Sequence, residues 1–345
     1  MNKLLASLLC AVLLISALGA TAAQAADSIP TASRNVFAMD TFMTITCYGD
    51  RCEEAADAAV AEIQRIDNLL SVGIASSEIS RLNATGSGEL SEDTVRIVEQ
   101  ALALYESTGG AFDITVYPLM ELWGFTSQNF RVPGEEEIGS LLTQVGADKL
   151  DYDPESHTLR LGGAAGVDLG GIAKGYTSHR LMEIFADYDL RAGIVSLGGN
   201  LQCYGVKPDG TLWRCGIQNP FAPNTGSYLG ILSVDSKALI TSGAYERFFV
   251  DEETGETYHH ILDPKTGYPV RSDLNSVTIV SDYGMLADGL STSCFILGLE
   301  GAIDYWREYG DDFEMILMTG EGEVYVTEAL APNFISDFPT HVVAR

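Results

Sequence analysis

Positive charge is scarce in this chain: 20 lysines and arginines stand against 48 aspartates and glutamates in 345 residues. A net charge of −28 repels nucleic-acid phosphates and anionic lipid headgroups, so neither is expected as a partner. An anionic small ligand needs local positive charge or a bound cation, and most of the acidity reads as a solubilising surface. Standard nucleotide loops are missing too. Neither G-x-G-x-x-G nor G-x-x-x-x-G-K-S/T occurs, which leaves a Rossmann or P-loop reading unsupported. A serine hydrolase would need a G-x-S-x-G elbow, and there is none. No C-x-x-C or zinc-ligand spacing is present.

Long apolar runs are confined to the N-terminus. Lys3 precedes an apolar stretch from Leu4 to Leu18 and a small-residue cleavage pattern, Ala23-Gln24-Ala25, the grammar of an export signal occupying residues 1–25. The stretch is shorter than the ~20 residues of a spanning helix. Cys10 follows Leu9 rather than a small residue, which argues against lipid modification. Cleavage leaves 19 basic against 48 acidic residues, a net charge of −29. The five remaining cysteines are Cys47, Cys52, Cys203, Cys215 and Cys294. A Cys47–Cys52 or Cys203–Cys215 disulfide and a set of small buried hydrophobes are both open readings.

Residues 26–345 show no repeat, low-complexity linker or domain boundary. One intertwined α+β domain with mixed or antiparallel sheets and flanking helices is expected. Arg34 to Tyr48 reads as an opening strand. Helical spacing recurs over Glu53 to Leu70, Ser91 to Thr108 (Ser91 as N-cap), Glu135 to Gln144 and Ser178 to Tyr188. Glu78 to Asn83 reads as a turn or short helix, and Lys149 to Leu161 as two strands about an Asp-Pro turn. Asp151, Asp153 and Glu155 resemble a calcium loop only briefly, because Ser156 stands where its glycine belongs. Ala192 to Tyr204 is expected as a buried strand ending in Gly198-Gly199-Asn200. Strand-like runs from Leu212 to Val280 point to an antiparallel sheet. A small-residue helix over Asp282 to Leu299, a helix over Ala302 to Tyr309 and a closing hairpin follow, and no stretch after the leader is expected to span a membrane.

The chemistry-bearing segments come next. Gly166 to Tyr176, GVDLGGIAKGY, reads as a strand turning through glycines into a helix N-terminus, where amides and the helix dipole favour phosphate. Asp168 and Lys174 could orient and neutralise an anion, or Lys174 could be a solvated helix residue. Asp288, Ser291 and Thr292 share one helix face, a hard-oxygen set suited to Mg²⁺ or a plain polar stripe. In His259-His260 adjacent side chains diverge, so one can enter a given site as a general base, unless local hydrogen bonds occupy it. Asp263 caps a turn. Phe112-Asp113 and Trp123-Gly124-Phe125 offer rings for a planar heterocycle or for a core.

Taken in order, Met39-Asp40-Thr41, SEISRLN (77–83), GGAFDITVYPLMELWGF (109–125), VDLGGIAKGY (167–176), SLGGN (196–200), GIQNP (216–220), ITSGAYERFF (240–249), HHILDPKTGYP (259–269) and ADGLST (287–292) resemble the ApbE family of FAD:protein FMN transferases. The resemblance implies an α+β fold that binds FAD, uses Mg²⁺ and transfers FMN to a Thr or Ser hydroxyl of an acceptor flavoprotein of an electron-transfer system, with AMP leaving. It implies metal ligation by Asp288, Thr292 and the carbonyl of Gly171, with Ser291 as a further position. FAD contacts fall to Met39, Ala111, Phe112, Asp113, Asp168, Lys174 and the backbone near Leu262. His260 matches the base that accepts the hydroxyl proton. One departure is Val72-Gly73-Ile74, where many members carry a tyrosine against the flavin. The same site with water as nucleophile would be an FAD pyrophosphatase, and without turnover an exported FAD-binding protein. The acceptor and the oligomeric state are not legible.

Overall fold

Thr31–Ala38 and Thr41–Tyr48 pair antiparallel in register from Thr31↔Tyr48 to Ala38↔Thr41. In the computed structural model, which describes residues 29–223 and 225–345, this hairpin is one edge of a nine-stranded sheet. The single strand expected from Arg34 to Tyr48 is thus two strands. Met39 and Asp40 make the turn with φ of 50° and 58°, a conformation more usual for Asn-Gly, so ordinary hairpin chemistry did not mark it. Ala192 to Tyr204 is corrected in the same way. Gly198 and Gly199, at φ 60° and 95°, turn Ala192–Leu197 into Asn200–Tyr204. The export signal at residues 1–25, with Cys10, lies outside the described residues.

The sheet continues through Ala238–Gly243, Leu274–Ser281, Phe313–Thr319, Val324–Thr327 and Thr340–Val343, antiparallel except for the last pair. Side chains alternate between its faces. Leu239 and Val280, opposite each other, join a core with Trp213, Cys215 and Leu232 beneath a three-stranded sheet. Their neighbours Ile240 and Ile279 face the helical layer and pack with Ala287, Leu290 and Cys294. The strand-like runs between 212 and 280 are antiparallel as expected but are divided among three sheets.

The helices form where apolar residues recur at three- and four-residue steps. Cys52–Leu70 buries Cys52, Ala55, Ala56, Ala59, Ile63, Ile66 and Leu70. Ser91 begins Glu92–Ser107 by accepting from the Thr94 amide, while its own N–H donates to Glu78. Gly284–Tyr309 is two helices, as expected, joined across a kink where Gly298 leaves helical geometry at φ 73°. It is also long and apolar enough to cross a membrane, with a mean hydropathy of 1.3, contrary to the expectation that no stretch after the leader would be. Its burial against the sheet and Ala173–Asp187 explains that apolarity as core packing. All five cysteines after the leader are free and buried. Cys203 and Cys215 touch across the two sheets with Sγ atoms 3.7 Å apart.

Candidate functional site

The N-terminus of Ala173–Asp187 meets Gly284–Tyr309 at Gly175. A Cβ there would lie 2.2 Å from the Gly284 carbonyl oxygen and 2.5 Å from Asp288 Cβ, so glycine alone allows the approach. The approach has a chemical consequence. The Gly175 N–H donates to Asp288 Oδ2 at 2.7 Å, not to the carbonyl four residues earlier, which is that of Gly171. Tyr176 resumes the helical pattern by donating to Ile172. Among the described residues the Gly171 carbonyl accepts no backbone hydrogen bond outside regular elements.

Two expectations for this stretch are corrected. Residues 166–170 are not a strand, because Asp168 and the residues around it are held by single bonds to Ile114 and Asn83 and not by a ladder. The helix start is also not an open cradle of amides. The Ala173 amide goes to Leu169 and that of Gly175 to Asp288. The carboxylate of Asp288 holds the place next to the positive end of the helix that a phosphate was expected to take.

Around this crossing lies a cavity of about 340 Å³. Its wall includes Met39, Ala111, Phe112, Asp113, Asp168, Gly171, Lys174, His260, Leu262, Asp288 and Thr292, so all but one of the residues singled out from sequence as a ligand, base or metal contact border one space. Ser291 does not. It is fully buried and bonds the Asp288 carbonyl and Ser242 Oγ, at 2.8 and 2.7 Å. Asp113 lines the wall, yet one of its oxygens is committed to the amide and hydroxyl of Thr115 at 2.8 and 2.6 Å. Trp123 is core: fully buried, it donates to the Gly267 carbonyl at 2.9 Å. Asp263 caps its turn by accepting from the Lys265 amide at 2.9 Å.

The two histidines diverge. His259 Nε2 donates to the Val270 carbonyl at 3.0 Å, and its ring stands edge-on to Phe295. His260 faces the cavity, with Nδ1 3.1 Å from the Arg247 carbonyl. A carbonyl only accepts, so Nδ1 carries the proton and Nε2 keeps its lone pair. Enclosure by the cavity walls, and then the positive charges of Arg247 and Lys174, push the imidazole pKa well below the usual histidine value. His260 is therefore neutral at neutral pH.

Asp288 is 4% exposed and forms no ion pair among the described residues. Burial raises its carboxyl pKa, opposed by the Lys174 charge and the Gly175 N–H. Asn200 faces it from the adjacent hairpin, but its buried amide nitrogen makes no hydrogen bond. Thr292 Oγ1 lies 3.3 Å from Ser242 Oγ. A buried carboxylate, a threonine hydroxyl and a main-chain carbonyl without its helical donor are a set of hard oxygens. That set fits Mg²⁺, which takes few protein ligands and completes its shell with waters and phosphate. No cluster of three or more His, Cys, Asp or Glu side chains suited to a metal occurs among the described residues.

A second cavity, of about 400 Å³, adjoins the first and shares Met39, Asp40, Asp168, Lys174 and Arg247 with it. Val72, Gly73, Ile74, Phe37 and Phe125 line its far side. The residues replacing the usual tyrosine thus stand on a cavity wall. Arg247 and Glu246 were missed as site residues. The visible sign was a charged pair, Glu246-Arg247, inside the apolar run from Ala244 to Val250. Glu246 keeps one face open to the cavity, and enclosure on its other sides raises its carboxyl pKa against the pull of Lys174. Lys174 and Arg247 form no ion pair among the described residues, although this acidic chain pairs many of its other cations.

The sequence model of the ApbE family matches residues 39–317. FAD:protein FMN transferase from Treponema pallidum is 31% identical over 298 residues, covering 80% of this chain and 82% of that protein. The Haemophilus influenzae protein of the same name is 29% identical over 290 residues, covering 81% and 82%. Among solved structures, the ApbE protein of Thermotoga maritima superposes with a TM-score of 0.82 at 31% identity, covering 88% of this chain and 99% of that one. Flavin transferase ApbE from Vibrio cholerae gives 0.78 at 25%, covering 89% and 100%.

Proposed function

The chain belongs to the ApbE family, and from that premise we propose that it is an FAD:protein FMN transferase, dependent on Mg²⁺, attaching FMN to a Thr or Ser hydroxyl of an acceptor flavoprotein. The observation that carries this reading is the pair of joined cavities with Lys174 and Arg247 at their junction. A dinucleotide has that outline: a heterocycle at each end and a doubly charged pyrophosphate between them.

Asp288, Thr292 and the Gly171 carbonyl would hold Mg²⁺, which supplies charge neutralisation at the phosphoryl oxygens. Lys174, whose charge already acts on Asp288, binds the dinucleotide's phosphates beside it. Asp168 is held in place by accepting from the Gly170 amide at 2.8 Å. His260 takes the proton of the acceptor hydroxyl at Nε2, which its Nδ1 contact with the Arg247 carbonyl leaves free. The acceptor oxygen bonds to the FMN-side phosphorus, the bond to the bridging oxygen breaks, and that electron pair leaves on AMP. Because His260 is neutral before the reaction, its Nε2 lone pair is available to accept that proton.

One feature favours a second reading. His260 keeps contact with solvent, so water can reach the same base and give free FMN and AMP, an FAD pyrophosphatase activity. The deciding experiment is incubation with FAD, Mg²⁺ and a protein bearing a Gly/Ser/Thr/Ala hydroxyl motif, followed by intact-mass measurement. The expected result is an acceptor heavier by FMN with one AMP released. Free FMN and AMP beside an unmodified acceptor would overturn the transferase reading, and FAD surviving intact would leave only a binding protein. The N-terminal leader supports a location beyond the cytoplasmic membrane, where acceptors of extracellular electron transfer would be met.

A further inference from the structure

Arg247 stands between the strand Ala238–Gly243 and the short ribbon strand Phe248–Val250, where the chain leaves the central sheet. Its backbone carbonyl accepts from both the main-chain N–H and Nδ1 of His260, at 3.0 and 3.1 Å. Its side chain borders both cavities. Of its five N–H donors, one from Nη2 goes to the Phe125 carbonyl at 3.1 Å. No carboxylate takes the rest among the described residues. Other arginines that border neither cavity, Arg34, Arg65 and Arg180 among them, have their guanidinium taken up by carboxylates.

We infer that Arg247 is a phosphate-binding residue of the active site, which holds the pyrophosphate of FAD at the junction of the two cavities and stabilises the charge that departs with AMP. The inference rests on the transferase reading. A planar guanidinium suits bidentate contact with a phosphate. The tie to Phe125 fixes the group on one side and leaves its other donors to a ligand. Because the same residue anchors His260 through its backbone, one short segment sets both the base and the charge that receives the leaving group.

The test compares the wild type with Arg247→Met, which keeps the stem, and Arg247→Lys, which keeps the charge. FAD binding is titrated with Mg²⁺ chelated across a series of salt concentrations, riboflavin serves as the phosphate-free probe, and kcat and KM for FAD are then measured with Mg²⁺. Arg247→Met is expected to raise the FAD dissociation constant at least tenfold at low salt, with the gap narrowing as salt rises, and to leave riboflavin binding unchanged. Its kcat should fall roughly 10²-fold, the scale of a lost transition-state donor, with partial recovery in Arg247→Lys. Unchanged FAD binding overturns the inference. So does a loss equal for both flavins and at every salt concentration, which would mean that Arg247 only braces the Phe125 segment. A wild type that binds FAD but yields neither AMP nor modified acceptor would overturn the transferase reading instead, with the titration still deciding whether Arg247 meets phosphate.

Discussion

Replacing Gly175 with alanine tests the crossing on which the site depends. The added Cβ would sit 2.2 Å from the Gly284 carbonyl oxygen and 2.5 Å from Asp288 Cβ. Ordinary contact begins near 3.4 Å, so the helices must separate by about 1 Å. Overpacking of this kind costs about 1–3 kcal/mol. Separation also stretches the 2.7 Å bond from the Gly175 amide to the Asp288 carboxylate, and a hydrogen bond to a charged group is worth about 1.5–3 kcal/mol. Together they predict a destabilisation of about 3–5 kcal/mol, or a melting temperature lower by about 4–8 °C. Activity should fall further than stability, because about 1 Å of misplacement can cost roughly 10²-fold in rate. Urea denaturation and a coupled assay of AMP release from FAD read the two effects separately. A variant with wild-type midpoint and wild-type turnover would refute the claim that this contact sets the geometry of the site.

Asp288→Ala should abolish Mg²⁺-dependent AMP release, whereas Lys174→Ala should chiefly raise KM for FAD, by about 10–100-fold on the scale of one charged hydrogen bond; steady-state kinetics over an FAD and Mg²⁺ grid separates them. The pKa of His260 is lowered in the folded state, so the unfolded chain binds its proton first and stability falls as pH drops below about 6.5. His260→Gln should lose less stability between pH 6.5 and 4.5 in chemical denaturation, with the remaining slope owed partly to His259, whose pKa burial also lowers; identical slopes would contradict this. Trp123→Phe leaves the buried Gly267 carbonyl without its donor and should cost about 1–3 kcal/mol in urea, while FAD affinity stays at the wild-type value.

Much of the fold was legible because period and capping agree with tertiary placement. Cys52–Leu70 and Glu92–Ser107 carry their apolar stripes openly, and Ser91 caps the second as its side-chain chemistry predicts. The hairpins failed for two different reasons. Gly198-Gly199 has the right residues for a tight turn, yet the apolar residues on both sides hid the break within one buried run. Met39-Asp40 has neither glycine nor asparagine. A positive φ at two such residues costs energy that the surrounding structure must hold in place, and this turn lies on the walls of both cavities. Strain retained at a ligand-facing turn is a reason for local rules to fail at that point.

The site was legible as residue types but not as a circuit of hydrogen bonds. Spacing alone put Asp288 and Thr292 on one helix face and Lys174 at the start of another. Nothing local to either segment says that the Gly175 amide abandons its own helix for Asp288 across 113 residues. That exchange links the two halves. It satisfies a buried carboxylate with a neutral donor, which leaves the negative charge available to a cation instead of cancelling it with a lysine or arginine. It also releases the Gly171 carbonyl from the helical bond it would otherwise accept. Two of the oxygens suited to Mg²⁺ are therefore prepared by one diverted N–H, and the alanine that separates the helices at Gly175 should disturb both together.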